Sequence, residues 1–396
     1  MTVFLVAMQC LSFLTPLLGT PLFLSGLHIL VPGLVEHEGG LNWLDLAYKG
    51  LTAASAEHIL AVVNGSAGLE ELLLARNEGL GDAFMQTFSA GLVSHASGST
   101  TAARRVGLLD LGQCSMTAAA CPHLEMVLCN VTSIVLSANA LGGEAGEAIG
   151  CVLASGNTVL TSIELNDCKL GDSGTIALAK GLAKNTTLLE LFLGNNGISA
   201  AGAIAIADML ASNCTLQRLG LRDNEDVEDD GAVAIANALC SRQKGSAGQS
   251  SGGGGGGGGG GDSGGDGDGS VCASGIVALD LAKCGLTADS LAVLLQVAAL
   301  EELVLFGNDL FIGFSDVMED LDVFKAAAGM VDLDLAACSI PDDDALGLME
   351  RLMSHDELPV LKLLGLGGNT VTDKDAWEST TLRLQMQRGG LRVVWM

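Results

Sequence analysis

The sequence predicts an α/β solenoid, with short parallel strands stacked into one sheet on the concave side and helices on the convex side. Three observations predict it. The pattern Leu-x-x-Leu-x-Leu-x-x-(Asn/Cys)-x-Leu occurs in eleven copies along the 396 residues. Four of them, starting at Val131, Leu160, Leu188 and Leu216, are spaced 29, 28 and 28 residues apart. One such unit cannot bury its own apolar face, so neighbours must stack. The composition is 49% hydrophobic but only 4% aromatic, with 54 Gly, which suits repetitive packing of small aliphatic side chains.

The elements follow in chain order. Residues 1–40 form an apolar N-terminal segment. Residues 1–35 contain no Asp, Glu, Lys or Arg. A signal peptide starts with basic residues, and none is present. A membrane span needs about 20 apolar residues, and Pro16, Pro21 and Pro32 interrupt this stretch. Three readings stay open: a signal or membrane anchor, a buried cap on the next domain, or a mis-assigned start.

Residues 41–240 hold seven copies, starting at Leu41, Leu69, Val106, Val131, Leu160, Leu188 and Leu216. The clearest is Leu188, Leu191, Leu193, Asn196 and Ile198. Leucines at the fourth and sixth positions share one face of a strand. An Asn at the ninth position can bond exposed backbone groups of the turn. In the return segments Ile176, Ala179 and Leu182, then Ile204, Ala207 and Met209, fall on one face of a helix. Helical returns imply a strongly curved solenoid. The spacing is irregular around Val106, being 37 residues before it and 25 after it.

Residues 241–274 read as a disordered, acidic, Gly-rich loop. Ten consecutive glycines at 252–261 precede Asp262, Asp266 and Asp268. Such a run is a flexible coil. It lacks the single turn into a helix of a phosphate cradle and the closing Glu of a calcium loop. Leu216 and Ile276 are 60 residues apart, so an insertion and an eroded repeat explain the gap equally well. Residues 275–396 hold copies eight to eleven, from Ile276, Leu300, Met330 and Leu361, and end at 391–396 in a capping strand.

Over about residues 41–371 this pattern resembles the leucine-rich repeats of the ribonuclease-inhibitor subclass. Asn185-Thr-Thr-Leu188, Leu193-Gly-Asn-Asn196 and the Gly-Ala-x-Ala-Ile-Ala stretch from Gly202 are similar to repeats of NOD-like receptors. Ran GTPase-activating proteins share the subclass. A complete NOD-like receptor is disfavoured, because Gly-x-x-x-x-Gly-Lys-Ser/Thr is absent.

The ninth position alternates, as Asn77, Cys114, Asn139, Cys168, Asn196 and, after the loop, Cys284, Asn308, Cys338, Asn369. The ribonuclease inhibitors alternate two repeat types in this way. The fifth position follows the same rhythm, with Asp45, Asp110, Glu164, Asp280 and Asp334 in one class and Leu73, Val135, Phe192 and Val304 in the other. Third, fifth and seventh positions point off the open side of the sheet. Acids there are Asp45, Glu71, Asp110, Glu164, Glu190, Asp280, Glu302, Asp332 and Asp334. The bases there are Arg218 and Arg222, read either as a partner contact or as internal ion pairs with Asp223, Glu225 or Asp226. Trp43, Phe192 and Phe306 add aromatic anchors. Acids in alternate copies sit about 10 Å apart, near a Debye length, so their potentials add.

The formal charge of −27 argues against DNA or RNA as a partner. It suits a basic protein. None of the six histidines has metalloprotease spacing, no Gly-x-Ser-x-Gly elbow occurs, and no Cys-x-x-Cys pair occurs among 11 cysteines. We therefore expect no metal, no cofactor and no catalytic residue. The predicted role is a non-enzymatic, monomeric, cytoplasmic scaffold for a basic protein. Two alternatives are a GTPase activator, with Arg76 or Arg222 stabilising phosphoryl-transfer charge on a small GTPase, and a receptor-like ectodomain, membrane-anchored or secreted through residues 1–35. Of the four Asn-x-Ser/Thr sequons, Asn185 and Asn213 occupy equivalent places in adjacent copies and read as repeat residues.

Overall fold

The computed structural model describes residues 27, 31–32, 34, 41–66, 68–96, 106–156, 158–247, 275–320, 322–354 and 356–395. Its strands are β1 (Trp43–Asp45), β2 (Glu71–Leu73), β3 (Val106–Asp110), β4 (Val131–Val135), β5 (Ser162–Glu164), β6 (Glu190–Phe192), β7 (Arg218–Gly220), β8 (Ala278–Asp280), β9 (Glu302–Val304), β10 (Asp332–Asp334), β11 (Leu363–Gly365) and β12 (Arg392–Val394). They form one sheet in strict chain order, β1 to β12. Every pairing is parallel and joins like positions of the repeat, as in Leu191↔Leu219 and Leu279↔Leu303. Each of the eleven sequence copies supplies one strand, and the C-terminal segment adds the twelfth.

The helices are α1 (Ala56–Gly65), α2 (Gly81–Ala96), α3 (Leu124–Leu128), α4 (Gly143–Ala154), α5 (Gly171–Leu182), α6 (Ala200–Leu210), α7 (Glu228–Ala247), α8 (Ala288–Leu294), α9 (Phe314–Glu319), α10 (Val323–Ala326), α11 (Asp342–Arg351) and α12 (Lys374–Gln387). The core runs between sheet and helices. Leu191, Leu193, Ile198 and Leu210 are all fully buried in it. Burial of each such side chain is worth about 1.5–3 kcal/mol. Leu27 and Val31, one helical turn apart, are also buried in this core, and Leu34 packs against it.

Not every return is an α-helix. The third copy, followed by the short 25-residue spacing, returns through a 3-10 turn at Ala118–His123 that contains Pro122, and only then enters α3. A proline lacks the N–H that a continuous α-helix would use. Glycines bring α4 and α5 together backbone to backbone. A Cβ on Gly146 would lie 2.0 Å from the Gly174 carbonyl oxygen, and one on Gly181 would lie 2.1 Å from that of Gly150. Close approach there narrows the outer wall and opposes curvature locally. At the C-terminal end, Arg388 is buried and donates to the carbonyls of Leu352, Glu357 and Leu358, while the Trp377 indole donates to Asp342.

Across the long gap between the seventh and eighth copies, strand β7 pairs directly with β8, with Arg218 opposite Ala278, so the extra residues add no strand to the sheet. The chain leaves through α7, which runs on to Ala247, so the first seven residues of the loop expected at 241–274 are helical, while residues 248–274 lie outside the described residues.

One conformation recurs in every copy. The eighth residue is left-handed in all eleven, with φ between 51° and 75°, and only Gly307 and Gly368 among them are glycines. For other residues this costs roughly 1–2 kcal/mol. In the ten copies with Asn or Cys at the ninth position it turns that side chain inward, while the first copy has the half-buried Lys49 there.

Candidate functional site: the open face of the sheet

The ninth side chains hold successive turns together. Asn196 Nδ2 donates to the carbonyls of Leu165 and Leu193, both at 2.8 Å, and its Oδ1 accepts from the N–H groups of Cys168 and Leu170 at 3.0 and 3.3 Å. Asn77, Asn139, Asn308 and Asn369 do the same one copy back. The intervening cysteines need only donate. Cys168 Sγ reaches the Leu136 carbonyl at 3.3 Å and Cys338 Sγ reaches that of Leu305 at 3.1 Å. Asparagine offers donor and acceptor together, and cysteine chiefly a donor in less space; in the seventh copy Asn224 follows Asn196 directly and makes the same bonds one copy back. Burial pushes the thiols of Cys168, Cys284 and Cys338 up to about 12, so they are inert at neutral pH.

The expected face residues all lie on the side of the sheet that the helices leave open. Third- and fifth-position residues flank a buried fourth, as in β5, β6 and β10. The fifth-position aspartates have a structural task that sequence reasoning missed. Oδ1 of Asp45, Asp110, Asp280 and Asp334 accepts the backbone N–H of Ala47, Gly112, Ala282 and Ala336, at 2.8–3.0 Å. This local bond closes the strand end. Glu164 makes no such bond, and the Asn166 N–H is taken by Ser137 instead.

These carboxylates are crowded. Burial raises the Asp332 carboxyl above its ordinary value, helped by Glu302 beside it in register and by Asp334. Glu164 is raised by burial, then by Asp110 and Glu190. Asp110 and Asp280 are also raised, burial outweighing the N–H bond each accepts.

The two face arginines separate. Arg222 pairs with Asp223 at 3.3 Å, one of the expected internal partners. Arg218 instead bridges its own row, 3.7 Å from Glu190 on one side and 3.5 Å from Glu302 on the other. Sequence reading did not weigh those partners, because Glu302 becomes a neighbour only when β8 docks on β7 and β9 on β8. These half-exposed pairs are worth little each, but they fix Arg218 across the middle of the face. Phe192 leans over β7, where the missing side chain of Gly220 leaves room, since a Cβ there would lie 2.8 Å from its ring. Beyond the eleven counted copies, β12 adds exposed Arg392 at a third position.

At the rim, eighth-position residues meet across copies. The Arg76 guanidinium lies 5.7 Å from the Tyr48 ring centre, and Lys283 pairs with Asp223 at 3.3 Å. Arg76 and Arg222, considered as charge stabilisers of phosphoryl transfer, are thus both engaged within the fold. Asn185 and Asn213 are buried and bond the Leu188 and Leu216 N–H groups, as repeat residues do. No helix among the described residues is long and apolar enough to cross a membrane.

The sequence is similar to known repeat proteins. The Leucine Rich repeat family matches residues 156–179, 184–207 and 212–236. The ribonuclease inhibitor of Mus musculus is 32% identical over 164 residues, covering 41% of this chain and 34% of that protein. That of Sus scrofa is 31% identical over 191 residues, covering 40% of each. The matches therefore span between a third and two fifths of those relatives' length. Among solved structures, an internalin from Listeria monocytogenes superposes with a TM-score of 0.44 at 14% identity, covering 89% of this chain and 86% of that one.

Proposed function

Because this chain is a leucine-rich repeat protein of the ribonuclease-inhibitor subclass, we propose that its open sheet face binds a basic protein, without catalysing a reaction. One observation carries the reading. Carboxyls on that face are held above their ordinary pKa by burial and by one another, at Asp110, Glu164, Asp280 and Asp332. A cationic partner would relieve that repulsion and gain from it. The face residues of this reading are Asp45, Asp110, Glu164, Glu190, Phe192, Arg218, Arg222, Asp280, Glu302, Phe306, Asp332 and Asp334. Cys114, Cys168, Cys284 and Cys338 are buried and free, and Cys214 is disulfide-bonded; the cytoplasmic monomer is carried by the sequence reading alone. Burial of Leu27 and Val31 favours a cap at the N-terminal end of the sheet.

The curated relatives are ribonuclease inhibitors, so a ribonuclease is the first basic protein to try. The full chain is titrated with pancreatic ribonuclease at low and high salt. Binding that weakens with salt, and that weakens and loses salt dependence in Asp280→Asn/Asp334→Asn, supports the reading. Asparagine keeps the Oδ1 acceptor that closes each strand end, so the fold is spared. Salt-insensitive binding, or none to ribonuclease and to other basic proteins, overturns it. Accelerated GTP hydrolysis on Ran would replace it with the activator reading.

A further inference from the structure

The ninth copy breaks the repeat pattern at one place. After the buried residue that ends each turn, the other copies continue with small or polar residues, such as Gly171-Asp172, Ser199-Ala200 and Thr287-Ala288. Such residues suit the start of a helix. The ninth copy has Phe311-Ile312 there, and these side chains are 58% and 78% exposed. The pair is held out by its flanks. Leu310 and Phe314 are fully buried, the Leu310 N–H is bonded to the Cys338 carbonyl at 3.0 Å, and Gly313 at φ 88° turns the chain back inward. The flanks fix where the pair stands but do not require large apolar side chains there, as the small or polar residues of the other copies show.

Ile312 lines a cleft of about 370 Å3 at the rim, between the turns of the eighth and ninth copies. Leu286, Thr287, Gly307 and Lys283 also line it. Along the same copy lie Phe306, Val304 and Glu302, with Asp332 and Asp334 opposite Glu302 and Val304 on β10. Phe306 and Glu302, four residues apart along this copy, are separated by about 13 Å. Large exposed apolar groups beside a cleft, rimmed by charge, mark contact sites.

We propose that this rim cleft receives a bulky apolar side chain of a basic protein segment, whose cationic residues lie against Glu302, Asp332 and Asp334. The inference rests on the basic-protein reading above and names where on the face the partner is anchored. Charge complementarity selects the occupant. The carboxylates attract cations, while Phe311 and Ile312 have no such preference and select an apolar group.

The test uses the full chain and two fluorescent twelve-residue peptides, both lysine-rich. One carries a central Trp-Leu pair, and the other carries Ser-Ser in its place. Anisotropy gives the affinities. The expected result is tighter binding of the Trp-Leu peptide, lost by about tenfold in Phe311→Ser/Ile312→Ser, with the Ser-Ser peptide unaffected. Glu302→Gln/Asp332→Asn should weaken both peptides. Equal affinity for the two peptides, or a rim variant that leaves the Trp-Leu peptide unchanged, overturns the anchor while leaving the basic-protein reading intact. Loss in the rim variant without loss in the charge variant overturns the basic-protein reading instead. No binding of the Trp-Leu peptide overturns the proposal. Circular dichroism of each variant checks that folding is retained.

Discussion

Asn139 closes the turn of the copy before its own: its Oδ1 accepts the Cys114 N–H at 3.1 Å, across 25 residues of sequence. The same oxygen accepts the Met116 N–H, and Nδ2 donates to the Leu111 and Leu136 carbonyls. One side chain thus satisfies four buried backbone groups in two adjacent copies. The left-handed residue in front of it, Ala138 at φ 58°, aims it there.

Asn139→Ala should therefore be among the most damaging single changes, although alanine is small and tolerated in most cores. Leaving several buried donors and acceptors unpaired costs roughly 3 kcal/mol or more. The urea midpoint of unfolding measures it. A loss below about 1 kcal/mol would mean that the ladder is not what holds the turns.

Gly146→Ala should lose about 1–3 kcal/mol by overpacking, because its new methyl meets the Gly174 carbonyl on the neighbouring helix. Gly347→Ala in α11 has open space around it and should gain about 0.5–1 kcal/mol, as alanine is the better helix former. Thermal melts of the two variants should move in opposite directions. Movement in the same direction would show that the helices do not touch as described.

The crowded acids give a pH dependence of definite sign. Asp332 has its folded pKa raised by burial, Glu302 and Asp334. Its contribution to stability is complete below the unfolded value and is lost as pH rises through the folded one. Asp332→Asn should therefore be more stable than the parent at pH 7 by a few tenths of a kcal/mol. The advantage should disappear below the carboxylate range. Denaturation curves at pH 7 and pH 3.5 check this, and an equal difference at both values would remove the repulsion argument.

Much of the architecture was legible in the sequence. A leucine or isoleucine at the fourth position and a leucine at the sixth position of each copy can be buried only by a neighbouring copy, so period and register follow from pattern alone. The alternation of Asn and Cys was legible too, but its reason was not. It depends on bonds from Asn196 back to Cys168 and Leu170, 28 and 26 residues away. The same holds for the acidic rhythm, which read as a binding surface. Half of its logic is local, the Asp280 bond to the Ala282 N–H being one case.

The sequence by itself determined the solenoid, the order of its strands and the side of the sheet on which the acids stand. Short-range periodicity carries that information, since every third and fifth position faces the same way. Tertiary structure decided what those side chains do. Joining β7 to β8 left the 60-residue gap without a strand of its own in the sheet and, through β9, brought Arg218 between Glu190 and Glu302. The left-handed eighth position was decided there as well, for Tyr48, Arg76, Lys283 and Asp223 carry no common sequence signal. Bonds to the next copy hold the backbone in that conformation, beginning with the N–H groups of these residues themselves, as from Tyr48 to the Ala75 carbonyl and from Asp223 to that of Ala282.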